Sequence, residues 1–124
     1  MNGKEIIVGN AGDSRCVLAK KGTAIDLSID HKPELEEERE RITAAGGYVE
    51  DNRVNGVLNL SRSLGDFEYK MNDKLKVEKQ MVTCIPEVKI EKITPDVDFM
   101  VIACDGIWEV WDSQKVVEFI YSKL

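Results

Sequence analysis

Three carboxylates stand beside glycine where a β-prone or apolar run gives way to a turn: Asp13 in Gly12-Asp13-Ser14, Asp66 in Leu64-Gly65-Asp66, and Asp105 in Ala103-Cys104-Asp105-Gly106. Glycine lets the backbone turn sharply and approach a ligand closely. A carboxylate leaving an apolar strand is costly to desolvate unless something positive compensates it. Oxygen donors with few histidines suit hard cations such as Mg²⁺ and Mn²⁺. Asp105 makes the strongest case, because it follows the longest apolar run, Phe99 to Cys104. Glu109, four residues later, can face the same way. A plainer reading stands beside this one: aspartate next to glycine is a common turn, and three such turns need not share a site. Taken alone, Glu109 reads as a solvated turn residue.

Other chemistries are set aside by what the sequence lacks. Its single histidine, His31, excludes multi-histidine zinc sites, and before Lys32-Pro33 it reads as a hydrogen-bonded structural residue. No cysteine is followed by arginine at the spacing of a thiol-based phosphatase loop, and no glycine-rich nucleotide fingerprint is present. The net charge of -6 argues against a nucleic-acid partner, which needs a concentrated basic surface. A basic partner or a bound cation suits it better. The longest apolar run is too short to span a bilayer, and the N-terminal residues lack the apolar stretch of a secretory signal. Cys16, Cys84 and Cys104 have no paired spacing and read as reduced, buried thiols, so a cytoplasmic or nuclear location is expected.

The elements that would position these residues follow from periodicity. At 124 residues, 43% hydrophobic and 32% charged, the chain suits one globular domain. Ile6-Ile7-Val8 and Arg15 to Ala19 read as strands of a hairpin around Gly9 to Ser14. Thr23 to Ile29 alternates as a half-buried strand after a turn at Lys20-Lys21-Gly22. Glu34 to Ala45 reads as a helix opened by Pro33 and stopped by Gly46-Gly47, with Leu35 and Ile42 on one face and a Glu37–Arg41 pair on another. Tyr48 to Glu50 and Val54 to Leu60 read as short strands around Asp51-Asn52. Asp66 to Gln80 is irregular, with one helical turn at most. Val88 to Ile93 alternates as a strand, and Phe99 to Cys104 reads as a strand buried on both faces. Asp112 or Ser113 caps a last helix with Val116, Val117, Ile120 and Leu124 as its apolar stripe.

Taken in order, several segments resemble one family. Asn10-Ala11-Gly12-Asp13-Ser14-Arg15 is similar to its N-x-G-D-S-R motif. Asp30-His31-Lys32-Pro33, with Glu38, Arg41, Ile42 and Ala45-Gly46-Gly47, resembles its D-H-K-P … E-x-x-R-I … A-G-G run. Val54-Asn55-Gly56 to Ser61-Arg62-Ser63-Leu64-Gly65-Asp66 resembles V-x-G-x-L-x-x-S-R-x-L-G-D. Pro86-Glu87 and Ala103-Cys104-Asp105-Gly106-Ile107-Trp108-Glu109-Val110 complete the series. This is the PPM, or type 2C, family of metal-dependent Ser/Thr protein phosphatases. The resemblance implies an α+β fold, a layered α-β-β-α sandwich of antiparallel sheets. The chain would be the C-terminal part of one catalytic domain, residues 1–124, with a flap-like segment at about 33–56. It implies hydrolysis of phosphoserine and phosphothreonine by a water bridging two Mg²⁺ or Mn²⁺ ions. Asp105 would be a core metal ligand, Asp13 and Glu109 would join it at a third metal, and Asp66 would lie near the site.

The match also departs from the family. Glu109 stands where the family usually has aspartate. The Asp-Gly-His-Gly-Gly segment, the upstream phosphate-gripping arginine and the closing Asp-Asn motif are missing. The expectation is a phosphatase parent acting on phosphoproteins, with this fragment inactive alone because affinity follows ligand count. The alternative is a non-catalytic binding or regulatory module with a phosphatase-like fold. Truncated sheets leave edges and apolar faces, so self-association or pairing with a missing N-terminal segment is expected, with neither nucleic acid nor membrane as partner.

Overall fold

The computed structural model describes residues 4–124. Ten regular elements follow one another: β1 (Glu5–Asn10), β2 (Arg15–Lys20), β3 (Thr23–Asp26), α1 (Glu36–Ala44), β4 (Val49–Glu50), β5 (Arg53–Val54), β6 (Glu87–Lys92), β7 (Val97–Ala103), α2 (Asp105–Trp108) and α3 (Ser113–Tyr121). They divide into two compact units. The first takes the described residues up to Asn10, Ser14–Ile29 and Glu87–Leu124; the second takes Ala11–Asp13 and Asp30–Pro86.

The first unit is built on two antiparallel sheets, β1–β6 and β3–β2–β7. Strand β2 is central because Cys16-Val17-Leu18-Ala19 is apolar at every position and buried on both faces. Cys16 and Leu18 point toward Ile6 and Val8 of β1, with Leu27 beside them, and this is the layer between the sheets. Val17 and Ala19 point the other way, against Trp108, Val116 and Val117. A β-β-α layering results, which is the expected α+β class with antiparallel sheets and three of the four layers of the α-β-β-α sandwich. The β2–β3 turn, Lys21-Gly22, has positive φ at both residues (47° and 79°), the primed geometry that matches strand twist.

Several expectations for this unit are corrected. β1 and β2 do not form a hairpin: β1 pairs with β6, Ile7 opposite Ile90, while residues 11–14 carry the chain between sheets. β3 ends at Asp26, because the Ser28 hydroxyl, instead of a further ladder bond, accepts the Cys16 N–H (2.9 Å). β7 is not buried on both faces. Phe99, Val101 and Ala103 pack inward, whereas Met100 and Ile102 are 44% and 69% exposed, because β7 is an edge strand beyond the reach of the two-stranded sheet. Cys104 continues that uncovered face and is exposed. Cys84 is half-buried, so of the three free thiols only Cys16 is fully buried; burial pushes its pKa up. Leu124 is likewise exposed, and the apolar stripe of α3 is Val116, Val117 and Ile120.

The second unit has little regular structure. Helix α1 begins at Glu36, two residues later than its composition suggests, because a turn from Lys32 to Leu35 precedes it (Leu35 N–H to Lys32 O, 3.1 Å). It ends as expected: Gly46 takes φ 90° and Gly47 N–H reaches back to Ile42 O (2.9 Å). Leu35 does not share the burial of Ile42, and Arg41 pairs with Glu38 rather than Glu37. β4 and β5 form a minimal hairpin at Asp51-Asn52. The strand expected over Val54 to Leu60 reduces to Val54 and one bridge to Leu58. Residues 66–80 carry two 3₁₀ turns, at Phe67–Tyr69 and Val77–Lys79. Ile42, Val54 and Val82 form a small apolar core. No helix among the described residues is long and apolar enough to cross a membrane.

Candidate functional site

In the second unit the Gly12-Asp13 segment is clipped to His31-Lys32 by reciprocal bonds. Gly12 N–H donates to His31 Nδ1 (3.2 Å), and His31 N–H donates to Gly12 O (2.9 Å). Gly12 holds φ 146°, backbone that L side chains rarely adopt, so the torsion selects glycine; a Cβ there would meet Arg62 O only at an ordinary 3.5 Å contact. His31 is 2% exposed, the structural role read from its sequence context. The clip sets the next residues side by side: Lys32 Nζ lies 2.6 Å from Asp13 Oδ2, with both side chains largely buried.

From His31 the bonds lead inward to Glu38. Ser61 N–H donates to His31 O (3.0 Å). Ser61 Oγ lies 2.9 Å from His31 O and 2.5 Å from Glu38 Oε2, and its one proton goes to the nearer, charged acceptor. Glu38, 1% exposed, also accepts Arg41 Nη1 at Oε2 (2.7 Å) and Arg62 Nη2 and Nε at Oε1 (2.6 and 3.1 Å). The arginines are tied in turn to backbone: Arg41 to Ser61 O and Gln80 O, Arg62 to Ile85 O. Burial opposes ionisation of Glu38, but the bonds from Arg62, Ser61 and Arg41 outweigh it and hold the carboxyl at about 2. Sequence reading picked out Glu38, Arg41 and Arg62 only as motif members. The available signal was glutamate and arginine at i, i+3 on a helix otherwise crowded with acids.

Asp66 sits in left-handed backbone (φ 48°, ψ 48°) and accepts the Ser63 hydroxyl (2.6 Å). It is exposed and follows a single bridge, not a strand. In the first unit, Asp105 opens α2 just after the end of β7 and is half-buried. Trp108 Nε1–H donates to Ala103 O (2.7 Å) and pins this short helix to the strand, with the Arg15 guanidinium over the Trp108 ring. Glu109 is one turn on, its N–H bonded to Asp105 O (2.8 Å) and its side chain exposed. Neither carboxylate meets a hydrogen-bond or ion-pair partner among the described residues.

The expected metal ligands are therefore divided. Asp105 and Glu109 belong to one unit, and Asp13 and Asp66 to the other. Within neither unit do three His, Cys, Asp or Glu residues of the described chain gather as a metal site. Asp105 suits a hard cation: a half-buried carboxylate with no positive partner. Asp13 does not fit as it stands, since Lys32 already holds its Oδ2.

The segments around these residues recur in known proteins. The protein phosphatase 2C family model matches residues 1–124. The chain is 59% identical over 116 residues to protein phosphatase ppm-1.G of Caenorhabditis elegans, covering 94% of this chain and 24% of that protein. It is 57% identical to human protein phosphatase 1G, covering 100% and 23%. Among solved structures, a phosphatase from Toxoplasma gondii superposes with a TM-score of 0.86 at 36% identity, over 96% of this chain and 37% of the other. The chain thus spans about a quarter of the length of these curated relatives. The family is generally metal-dependent. A family match over residues 1–124, and relatives identical to this chain at more than half of the aligned positions, place it in the protein phosphatase 2C family of protein-serine/threonine phosphatases.

Proposed function

We propose that the protein to which these residues belong hydrolyses phosphoserine and phosphothreonine in phosphoproteins, using Mg²⁺ or Mn²⁺, and that residues 1–124 do not catalyse this alone. The observation that carries the reading is Asp105: a half-buried carboxylate without a partner, held at a strand end by the Trp108–Ala103 bond. Neither unit offers a full donor set, so the ions need further ligands from outside these residues. The substrate is a phosphoprotein, and the unpaired thiols suit the cytoplasm or nucleus.

A second reading, a non-catalytic binding or regulatory module, draws on one feature. The outer face of the β1–β6 sheet exposes Ile7, Val88 and Ile90, at 67%, 58% and 58%, and self-association or an added segment would cover it. The deciding experiment is Mn²⁺-dependent phosphopeptide hydrolysis by the full-length protein, its Asp105→Asn variant and residues 1–124. Partners one step removed from a metal already cost about 10–100-fold when lost, so Asp105→Asn should cost at least about a hundredfold. Undiminished activity in that variant removes Asp105 from the reaction. Activity of residues 1–124 equal to the full-length protein refutes their dependence on the rest.

A further inference from the structure

We infer that the groove between α1 and residues 75–85 docks a basic segment of a partner protein, whose lysine or arginine side chains lie between its carboxylates. The groove encloses about 620 Å³, the size of a ligand cleft, and lies wholly within the second unit. One wall is a single face of α1, because Glu37, Glu40, Arg41 and Ala44 recur at helical spacing. Leu75, Glu78 and Ile85 belong to the facing wall. No residue of the groove is among the expected metal ligands, so docking there does not depend on the phosphatase reading.

The charges divide by depth. The Arg41 and Arg62 side chains are only 9% and 13% exposed, and every guanidinium nitrogen already donates to Glu38 or to a backbone carbonyl. They are committed to the fold. Glu37, Glu40 and Glu78 are exposed, and none meets a hydrogen-bond or ion-pair partner among the described residues. Against these three free carboxylates stands one free amine, the exposed Lys79. The mouth therefore favours a cation and repels an anion, in keeping with the net charge of -6. Leu75 and Ile85 add apolar surface beside the carboxylates. Lysine and arginine match both features, since their stems lie along apolar surface while their heads stay with charge and water. A bare metal ion does not, because no three His, Cys, Asp or Glu of the described residues gather as a metal site. Carboxylates on both walls call for a segment with more than one basic residue.

The test uses the full-length protein and a fluorescent peptide of alternating arginine and leucine. Anisotropy should show binding that weakens as salt is raised. Glu37→Gln, Glu40→Gln and Glu78→Gln together should weaken it about tenfold, the scale of three exposed ion pairs. The control Glu36→Gln, Glu50→Gln and Asp51→Asn removes as much charge from exposed acids outside the groove and should leave the affinity nearly unchanged. Ala44→Arg, which places a tethered cation in the groove, should compete with the peptide. A photoreactive group on the peptide should label residues 37–44 and 75–85 of the wild type, and this decides the matter if a variant fails to fold. Equal losses in the groove and control variants, equal binding of a glutamate–leucine peptide, or labelling elsewhere overturns the inference. So does a groove variant that shifts sedimentation while peptide binding stands, since the groove would then serve self-association.

Discussion

In the sheet unit, the residues with no solvent exposure are aliphatic: Val17, Leu18, Ala19 and Val117. In the unit spanning residues 30–86, residues exposed by 2% or less include Glu38, His31 and Ser61 beside Ile42, Val54 and Val82. The first unit satisfies its backbone with strand ladders. The second has two-residue strands and lets side chains serve in their place: Arg41 bonds Ser61 O and Gln80 O, and the Gln80 amide bonds Asn72 O and Leu75 O. An aliphatic core loses stability in proportion to the contacts removed. A buried charge network behaves otherwise, because deleting one member strands the rest.

The largest effect should therefore come from Glu38→Ala. It leaves the Arg41 and Arg62 guanidinium groups without their buried carboxylate, and breaking such a pair costs roughly 3–5 kcal/mol. Denaturant unfolding measures the loss, and hydrogen exchange locates it. Protection should fall at the Ser61 and Ser63 amides and persist at the β2 amides paired with β7. Equal loss in both places breaks the comparison, since the two units would then unfold as one. Leu18→Ala is the matching cut in the sheet unit. Leu18 has no exposure and packs in the layer between the sheets, and the expected cost is about 3 kcal/mol. Here the protection pattern should reverse.

Acid separates the units without a mutation. The Glu38 carboxyl is held at about 2, below its ordinary 4.5. A depressed carboxyl contributes stability that is fully present above the unfolded value and is lost as pH falls toward the folded one. The window is therefore about pH 4.5 to 2. The full contribution is about 3 kcal/mol, from the difference of the two values. Urea midpoints measured across that range should fall clearly more steeply for the wild type than for Glu38→Gln, whose remaining fall comes from other depressed carboxylates such as Asp112. A parallel fall in both would mean that other carboxylates govern acid unfolding.

Sequence and structure agree where a pattern is local, and diverge where the outcome depends on what lies opposite. The 3.6-residue stripe of α3, the Gly46-Gly47 stop and the Asp105 exit from β7 are local and were legible. The β1–β2 hairpin was misread because turn residues at 9–14 say that the chain bends, not which strand it meets next. β7 looked buried on both faces because an apolar run does not reveal whether a facing sheet is wide enough to cover it. Ile102, opposite buried Cys16 on β2, is 69% exposed for that reason. At the site, glycine spacing found Asp13, but its engagement by Lys32 depends on a clip spanning 19 residues of sequence, which no window of periodicity contains.

The smallest expected effect compares how the two units start a helix. Asp112 caps α3 with the backbone extended (φ -74°, ψ 162°), and its Oδ1 accepts Lys115 N–H at 2.8 Å. That N–H, together with the Lys115 ammonium, draws the Asp112 carboxyl below its ordinary value. The ion pair itself is solvent-exposed and adds little, so the cap bond carries the effect. In α1 the equivalent position is Leu35, which makes no side-chain cap bond. That helix begins instead with Glu36, Glu37 and Glu38 against the positive end of its dipole and is tied down by Arg41. Asp112→Ala should lower the thermal midpoint by a few degrees, and Asp112→Asn, which keeps an oxygen acceptor, should recover most of it. If alanine and asparagine fall equally, the charge rather than the cap bond holds the start of α3, and the two helices begin by the same electrostatics after all.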